Sequence, residues 1–185
     1  MTKRNLTITL TAAIASLIAS APQMVAKTAG SVTVAQEARE TLKELKGVAA
    51  KAAGEAENLD YLSQRSTVSA DSHTTPLMEL REEVNTMGKE IATLEAQRDS
   101  LEPWEQEAVD KVVPLLKEAA DNTQGAIHFF NTNRTHLWSS DYQAYAQKVE
   151  SDSNQIAKTL QNYLKYEEVR EAETQLQSTI GAGSN

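Results

Sequence analysis

Cysteine does not occur anywhere in this 185-residue chain. Its absence excludes disulfides, thiolate metal sites, covalent c-type haem, Cys nucleophiles and lipid attachment to an N-terminal Cys. Histidine is scarce, occurring only as His73, His128 and His136. A carboxylate-bridged metal site in a helical bundle needs Glu-x-x-His on two helices. The residues three places before the histidines are Ala70, Gly125 and Asn133, so that motif does not occur. On one continuous helix His128 and His136 would stand about 12 Å apart along the axis, too far to share an ion. His73 falls in a polar stretch. The three imidazoles therefore read as satisfied or solvent-facing groups. Haem held between Met87 and His128 has as little support. Met87 continues an apolar seam where Met is core filler, and an Ala-rich first helix favours tight packing over a wide cavity. No metal and no cofactor is expected.

Glycine, proline and aromatics are also few: seven Gly, four Pro, and 5% Phe, Trp and Tyr together. Few breakers among many Ala, Glu, Gln, Lys and Leu point to helix, with an interior made mostly of aliphatic side chains. Catalytic signatures are missing. There is no nucleophile elbow, no Gly-rich phosphate loop, and no His beside a Ser–Asp pair. The acidic runs Glu102 to Glu107 and Tyr166 to Glu168 read as solvated helix faces, where Glu102 and Glu105 in a first turn also complement the helix dipole. An enzyme is not expected.

What the chain does have begins with a three-part N-terminus. Lys3 and Arg4 precede a largely apolar stretch from Leu6 to Ile18, followed by small residues at Ala19, Ser20 and Ala21. This is the pattern of a secretory signal peptide, expected over residues 1–26. Cleavage after Ala21 faces Pro22, and cleavage after Ala26 faces Met24, so the exact site is open. Thr7, Thr9 and Thr11 dilute the stretch below the roughly 20 apolar residues a membrane span needs, and no later segment is longer. The expected compartment is periplasmic or extracellular, with no membrane span once the signal is removed. Loss of the two cations Lys3 and Arg4 takes the formal charge from −8 to −10. Such acidity argues against nucleic acid or anionic lipid as a partner.

The strongest pattern is the three-four run Leu77, Leu80, Val84, Met87, Ile91, Leu94, Arg98 and Leu101. That spacing is the seam of a helix packed lengthwise on other helices. Three further segments carry similar stripes. One is Ala38, Leu42, Leu45, Ala49, Ala52, Ala56 and Leu59. Another is Trp104, Ala108, Val112, Leu115, Ala119, Thr123, Ala126 and Phe130. The last is Tyr142, Tyr145, Val149, Ile156, Leu160, Tyr163 and Leu164, interrupted by Asp152 and Ser153. The chain therefore divides into a flexible start at 27–32, helices over 33–63, 76–99, 101–132 and 141–176, a flexible Ser/Thr-rich loop at 64–75, and a tail from 179. Thr74 or Thr75 should cap the second helix and Ser100 the third. Pro114 should kink the third. Gly47 and Gly54 mark close contact, a bend or tolerated drift in the first. The predicted fold class is all-α: an antiparallel up-down-up-down four-helix bundle over 33–178.

One cluster is left unexplained by the stripes. Phe129, Phe130, His136, Trp138, Tyr142 and Tyr145 fall around the third turn between helices. Adjacent Phe129 and Phe130 cannot both face one core centre. The cluster is either a plug that closes the bundle end or an exposed apolar patch for a partner. Phe129, Phe130, His136, Trp138 and Tyr142 are the candidate partner-binding residues. Arg98 in the seam either snorkels outward or pairs with Glu102 or Glu105. The expected function is non-enzymatic: an exported bundle that binds or scaffolds another macromolecule, or associates with itself. A small-ligand or metal-binding bundle and an enzyme of unidentified type are the alternatives.

Overall fold

A computed structural model describes residues 24–182, with side chains over 34–181; the expected signal segment falls, up to residue 23, outside the described residues. Four α-helices make up the described chain: α1 (Met24–Ser63), α2 (Thr74–Ala96), α3 (Pro103–Thr132) and α4 (Ser140–Ala182). Two short 3-10 turns, Ala70–His73 and Arg98–Ser100, precede α2 and α3. No strand occurs among the described residues. Each helix packs on two others: α1 on α2 and α4, and α3 on α2 and α4. The expected all-α class with four mutually packed helices is what the structure contains.

The stripes become the core. On α1, Ala38, Leu42, Leu45, Ala49, Ala52, Ala56 and Leu59 are all buried, joined by Ala53. On α2 the heptad run is buried from Leu77 to Leu94, and Leu101 re-enters the core beyond the turn. Each large aliphatic side chain removed from water contributes roughly 1.5–3 kcal/mol before entropy is counted. Two stripes differ from expectation. On α3 the buried residue is Leu116, while Leu115 is only half-buried; both satisfy a three-four rule, so spacing alone cannot choose. On α4 the seam runs Tyr142, Ala146, Val149, Ser153, Ile156, Leu160, Leu164 and Glu167. Tyr145 and Tyr163 flank it half-buried. Ser153 keeps the period with a polar side chain, which is why the stripe looked interrupted there, and Glu167 extends it past Leu164.

The boundaries shift for local reasons. Helix α1 starts at Met24 and takes in 27–32, the segment expected to be flexible; no proline stands between Met24 and Ser63. Helix α4 continues to Ala182, past the expected end at 176. The N-cap position of α2 is His73, which makes no side-chain cap, rather than Thr74 or Thr75. Helix α3 is capped by Glu102 rather than Ser100. The Glu102 side chain takes the third-residue N–H, and Glu105 reaches back to the Glu102 N–H at 2.8 Å, with Pro103 in the first turn. This is a capping box built from two acids. Arg98 belongs to the 3-10 turn and pairs with Asp110 through two 2.8 Å bonds, not with Glu102 or Glu105. Helix α3 runs unbroken across Pro114, which is exposed. Segment 64–75, expected to be flexible, is folded onto the bundle: Ala70 packs on the core and His73 is 1% exposed.

The α1–α4 cross-links run in opposite order along the two helices. Arg39 holds Glu171 at 2.6 and 3.0 Å. Far along α1, Gln147 donates to Asp60 at 3.1 Å and Gln143 to the Ser63 carbonyl at 3.2 Å.

The glycines separate by what surrounds them. A Cβ on Gly47 or Gly54 would meet nothing within 4 Å, so close packing is not their reason. A Cβ on Gly125 would strike the Tyr145 ring, whose Cδ1 lies 2.8 Å away. Gly47→Ala should therefore raise stability by about 1 kcal/mol, the helix-propensity difference. Gly125→Ala should show no such gain, because overpacking costs about 1–3 kcal/mol. Urea unfolding of both variants checks this, and an equal gain at both sites refutes the distinction.

Candidate functional site

The α3–α4 connection is built in two layers. Helix α3 ends when the Asn133 N–H bonds the Phe129 carbonyl at 2.8 Å. Two tight turns follow, with His136 N–H to Asn133 O at 2.8 Å and Ser139 N–H to His136 O at 3.2 Å. The Ser139 hydroxyl then accepts the Tyr142 N–H at 3.4 Å and opens α4. Between these turns Leu137 points inward and is buried, while Trp138 is 45% exposed.

The inner layer is a plug. Phe130 is buried and Tyr142 is fully enclosed. Half-buried Phe129 lies against Tyr142 with ring centroids 5.6 Å apart, and His73 meets Tyr142 at the same separation. His73 closes this layer from the α1–α2 connection. The strap is tied across the end by Arg134, which donates to Asp71 at 2.9 Å while its guanidinium sits 4.8 Å from the centre of the Phe130 ring. Phe130 and Tyr142, named from sequence as partner-binding candidates, are thus core residues: adjacent aromatics at a helix end divide between inside and outside, and Tyr142 takes the inside of α4.

The outer layer holds the other candidates. Trp138 and His136 face each other with ring centroids 5.1 Å apart, and the Thr135 hydroxyl engages His136 Nδ1 at 2.9 Å. The backbone under Trp138 is clamped. Gln143 Nε2 donates to the Trp138 carbonyl and to the Ser63 carbonyl, each at 3.2 Å. Ser63 ends α1, so the clamp brings a further exposed aromatic to the same end of the bundle. Tyr61 is 50% exposed, and Arg65 lies 4.1 Å over its ring and bonds its hydroxyl. The accessible groups here are therefore Trp138, His136, Tyr61, Arg65 and Arg134, with part of Phe129.

Sequence reasoning missed His73, Tyr61, Arg65 and Arg134. The Tyr61–Arg65 pair had a signal in its i, i+4 spacing of an aromatic and a cation. His73 had none, since its burial depends on a fold-back that no local pattern announces. Burial lowers the His73 imidazole pKa and pushes the Tyr142 hydroxyl well above its ordinary value. Both are neutral at pH 7. Neither His73 Nδ1 nor Tyr142 Oη has a hydrogen-bond partner among the described residues. His128 is exposed on α3. Among the described residues, no group of three or more His, Asp or Glu side chains is placed to hold a metal ion, and no helix is long and apolar enough to cross a membrane.

Set beside family models, curated proteins and solved structures, the chain has no significant match to any of them.

Tyr142→Phe should leave stability unchanged or raise it, because it removes a buried hydroxyl that bonds nothing. Tyr142→Ala should cost about 3–5 kcal/mol for the cavity. Chemical denaturation separates them, and a large loss in Tyr142→Phe contradicts the unpartnered hydroxyl. For His73 the folded pKa lies below the unfolded one. Its contribution is present above the unfolded value of about 6.5 and is lost as pH falls through the folded value. His73→Phe should flatten that acid-side decline relative to the parent chain.

Proposed function

We propose that this protein is a non-enzymatic, exported, antiparallel up-down-up-down bundle that binds another macromolecule through the outer layer of the α3–α4 end. The observation that carries the reading is Trp138. A large amphipathic ring is held outward on a backbone that Gln143 ties to α1, in tilted contact with His136, with its neighbour Leu137 buried as an anchor. Exposed Trp on a rigid seat has the chemistry of an interface hot spot, since little side-chain freedom remains to be lost on binding. Tyr61 and Arg65 at the same end extend the patch with a second aromatic and a cation, residue types enriched at protein interfaces. The acidic balance of the chain favours a protein partner over a nucleic acid. The opposite order of the α1–α4 cross-links supports the antiparallel topology, and the three-part N-terminus supports export.

The test compares Trp138→Ala with Phe130→Ala. Crosslinking of the full chain in its native cell identifies what it touches. Trp138→Ala should weaken that association at least about tenfold while keeping the parent helicity and melting transition, as expected for loss of a hot-spot ring. Phe130→Ala should instead cost about 3–5 kcal/mol of stability. An association untouched by Trp138→Ala, in a folded variant, sinks the proposal. Sedimentation of the purified chain distinguishes self-association from a foreign partner. Cell fractionation with N-terminal sequencing tests export, with a new terminus expected after Ala21 or Ala26.

A further inference from the structure

At the opposite end of the bundle, a groove of about 480 Å³ runs between the start of α3 and the last seated turns of α4. That size falls within the roughly 300–1,000 Å³ of small-molecule clefts. Helix α3 contributes Pro103, Trp104 and Glu107, and α4 contributes Tyr163, Tyr166 and Arg170. The three rings sit at different depths. Trp104 is 6% exposed and forms the floor. Its indole N–H donates to Glu102 Oε2 at 3.0 Å, and Glu102 is itself fixed by the reciprocal cap with Glu105. Tyr163 is half-buried, and its hydroxyl is engaged by the exposed Glu107 carboxylate. Tyr166 is 60% exposed and makes the outer wall. Residues three apart on a helix share a face, so Trp104 with Glu107 and Tyr163 with Tyr166 are presented as two facing pairs.

The charge around these rings is negative. Arg170 donates to Glu102 Oε2 at 2.8 Å and to Glu167 Oε1 at 2.7 Å, so two carboxylates already balance its one guanidinium. The second oxygen of Glu167 is buried with no hydrogen-bond partner among the described residues. Glu107 makes no ion pair among the described residues. Lys111 enters only where the groove continues along α3 and α4 past Tyr163. The Trp104 end therefore combines aromatic surface with an uncompensated carboxylate. An anion is repelled there, and a neutral apolar ligand leaves the carboxylate unserved.

We infer that this groove binds a small organic cation, a free solute whose methylated ammonium head lies among Trp104, Tyr163 and Tyr166 with Glu107 as its counter-charge. Ring quadrupoles attract such a head, Trp most strongly, and a nearby carboxylate adds its own charge. The methyl groups gain further by leaving water for an aromatic floor. An inorganic cation such as sodium keeps its hydration shell and has no such use for the rings. The seat is stiff, because the Trp104 ring is held by Glu102, so little ordering is left for the ligand to impose. The site lies at the other end of the bundle from Trp138 and does not depend on the macromolecular contact proposed there.

The experiment uses the full chain carrying Trp138→Phe, which leaves Trp104 as the sole indole. Choline is titrated in at constant ionic strength while Trp104 emission is followed. A saturable change is expected. Dimethylbutanol, the neutral isostere with carbon in place of the ammonium nitrogen, should bind at least about fivefold more weakly, the share owed to charge and rings. Tyr166→Ala should weaken choline by about the same factor, while Tyr166→Phe keeps it. Glu107→Gln should weaken choline without altering the response to dimethylbutanol. Tyr166 and Glu107 are both exposed, so these variants keep the core intact, and circular dichroism checks that they do. No saturable response, equal binding of the neutral isostere, or affinity untouched by Tyr166→Ala in a folded chain overturns the inference. Co-sedimentation with phosphatidylcholine vesicles overturns the choice of a free solute.

Discussion

Ala38, Ala49, Ala52 and Ala56 each send a single methyl into the core from α1, and the packing of the bundle is arranged around that thin seam. Interhelical distance follows the size of the contact residues, so a stripe of methyls lets the neighbouring helices close in. Larger groups of the interior are Leu42, Leu45 and Leu59 on α1 itself, Leu80, Met87 and Leu94 on α2, Trp104 and Leu116 on α3, and Ile156 and Leu160 on α4. With no cysteine to cross-link the chain, this complementarity of small and large is the main restraint on the relative positions of the helices. The buried aromatic side chains gather towards the two ends, Trp104 at one and Phe130 and Tyr142 at the other.

Those ends solve the same geometric problem differently. Where α3 gives way to α4, the opening is closed by rings, with Tyr142 between Phe129 and His73. The strap 64–73 lies over them, tied by Arg134 and Asp71. Where α2 gives way to α3, the opening is closed by a network of acids around Arg170. The aromatic end places two exposed rings, Trp138 and Tyr61, on a stiff frame. The acidic end encloses a carboxylate oxygen with nothing to bond it. The two ends of one core thus differ in kind, rings at one and acids around Arg170 at the other.

Much of this was legible in the chain. The seams of α1 and α2 read correctly because every core position is apolar and the three-four period is unbroken. The α3 seam slipped at Leu115 and Leu116, where two neighbours fit the period equally and only the partner helices decide. The α4 seam was obscured at Asp152 and Ser153, where the polar Ser153 keeps the period. Glu102 as a cap was passed over because Ser100 is the commoner capping residue; the reciprocal pair with Glu105 is what favours it. The aromatic cluster was visible, but its division into plug and surface was not, because that depends on Leu137 turning inward and on His73 arriving from 69 positions before Tyr142.

Helices α1 and α4 clasp each other, and this has a consequence for how the chain is made. Ser63 and Gln143, which join across that interface, are 80 residues apart. At synthesis rates of about 5–20 residues per second, the partner for that face of α1 emerges roughly 4–16 s after α1 itself. Throughout that interval α1 can engage only α2 and then wait. The alanines that dominate its stripe expose little apolar area while it waits, so the seam that allows close packing in the finished bundle also keeps the nascent chain from offering a sticky surface before its last helix exists.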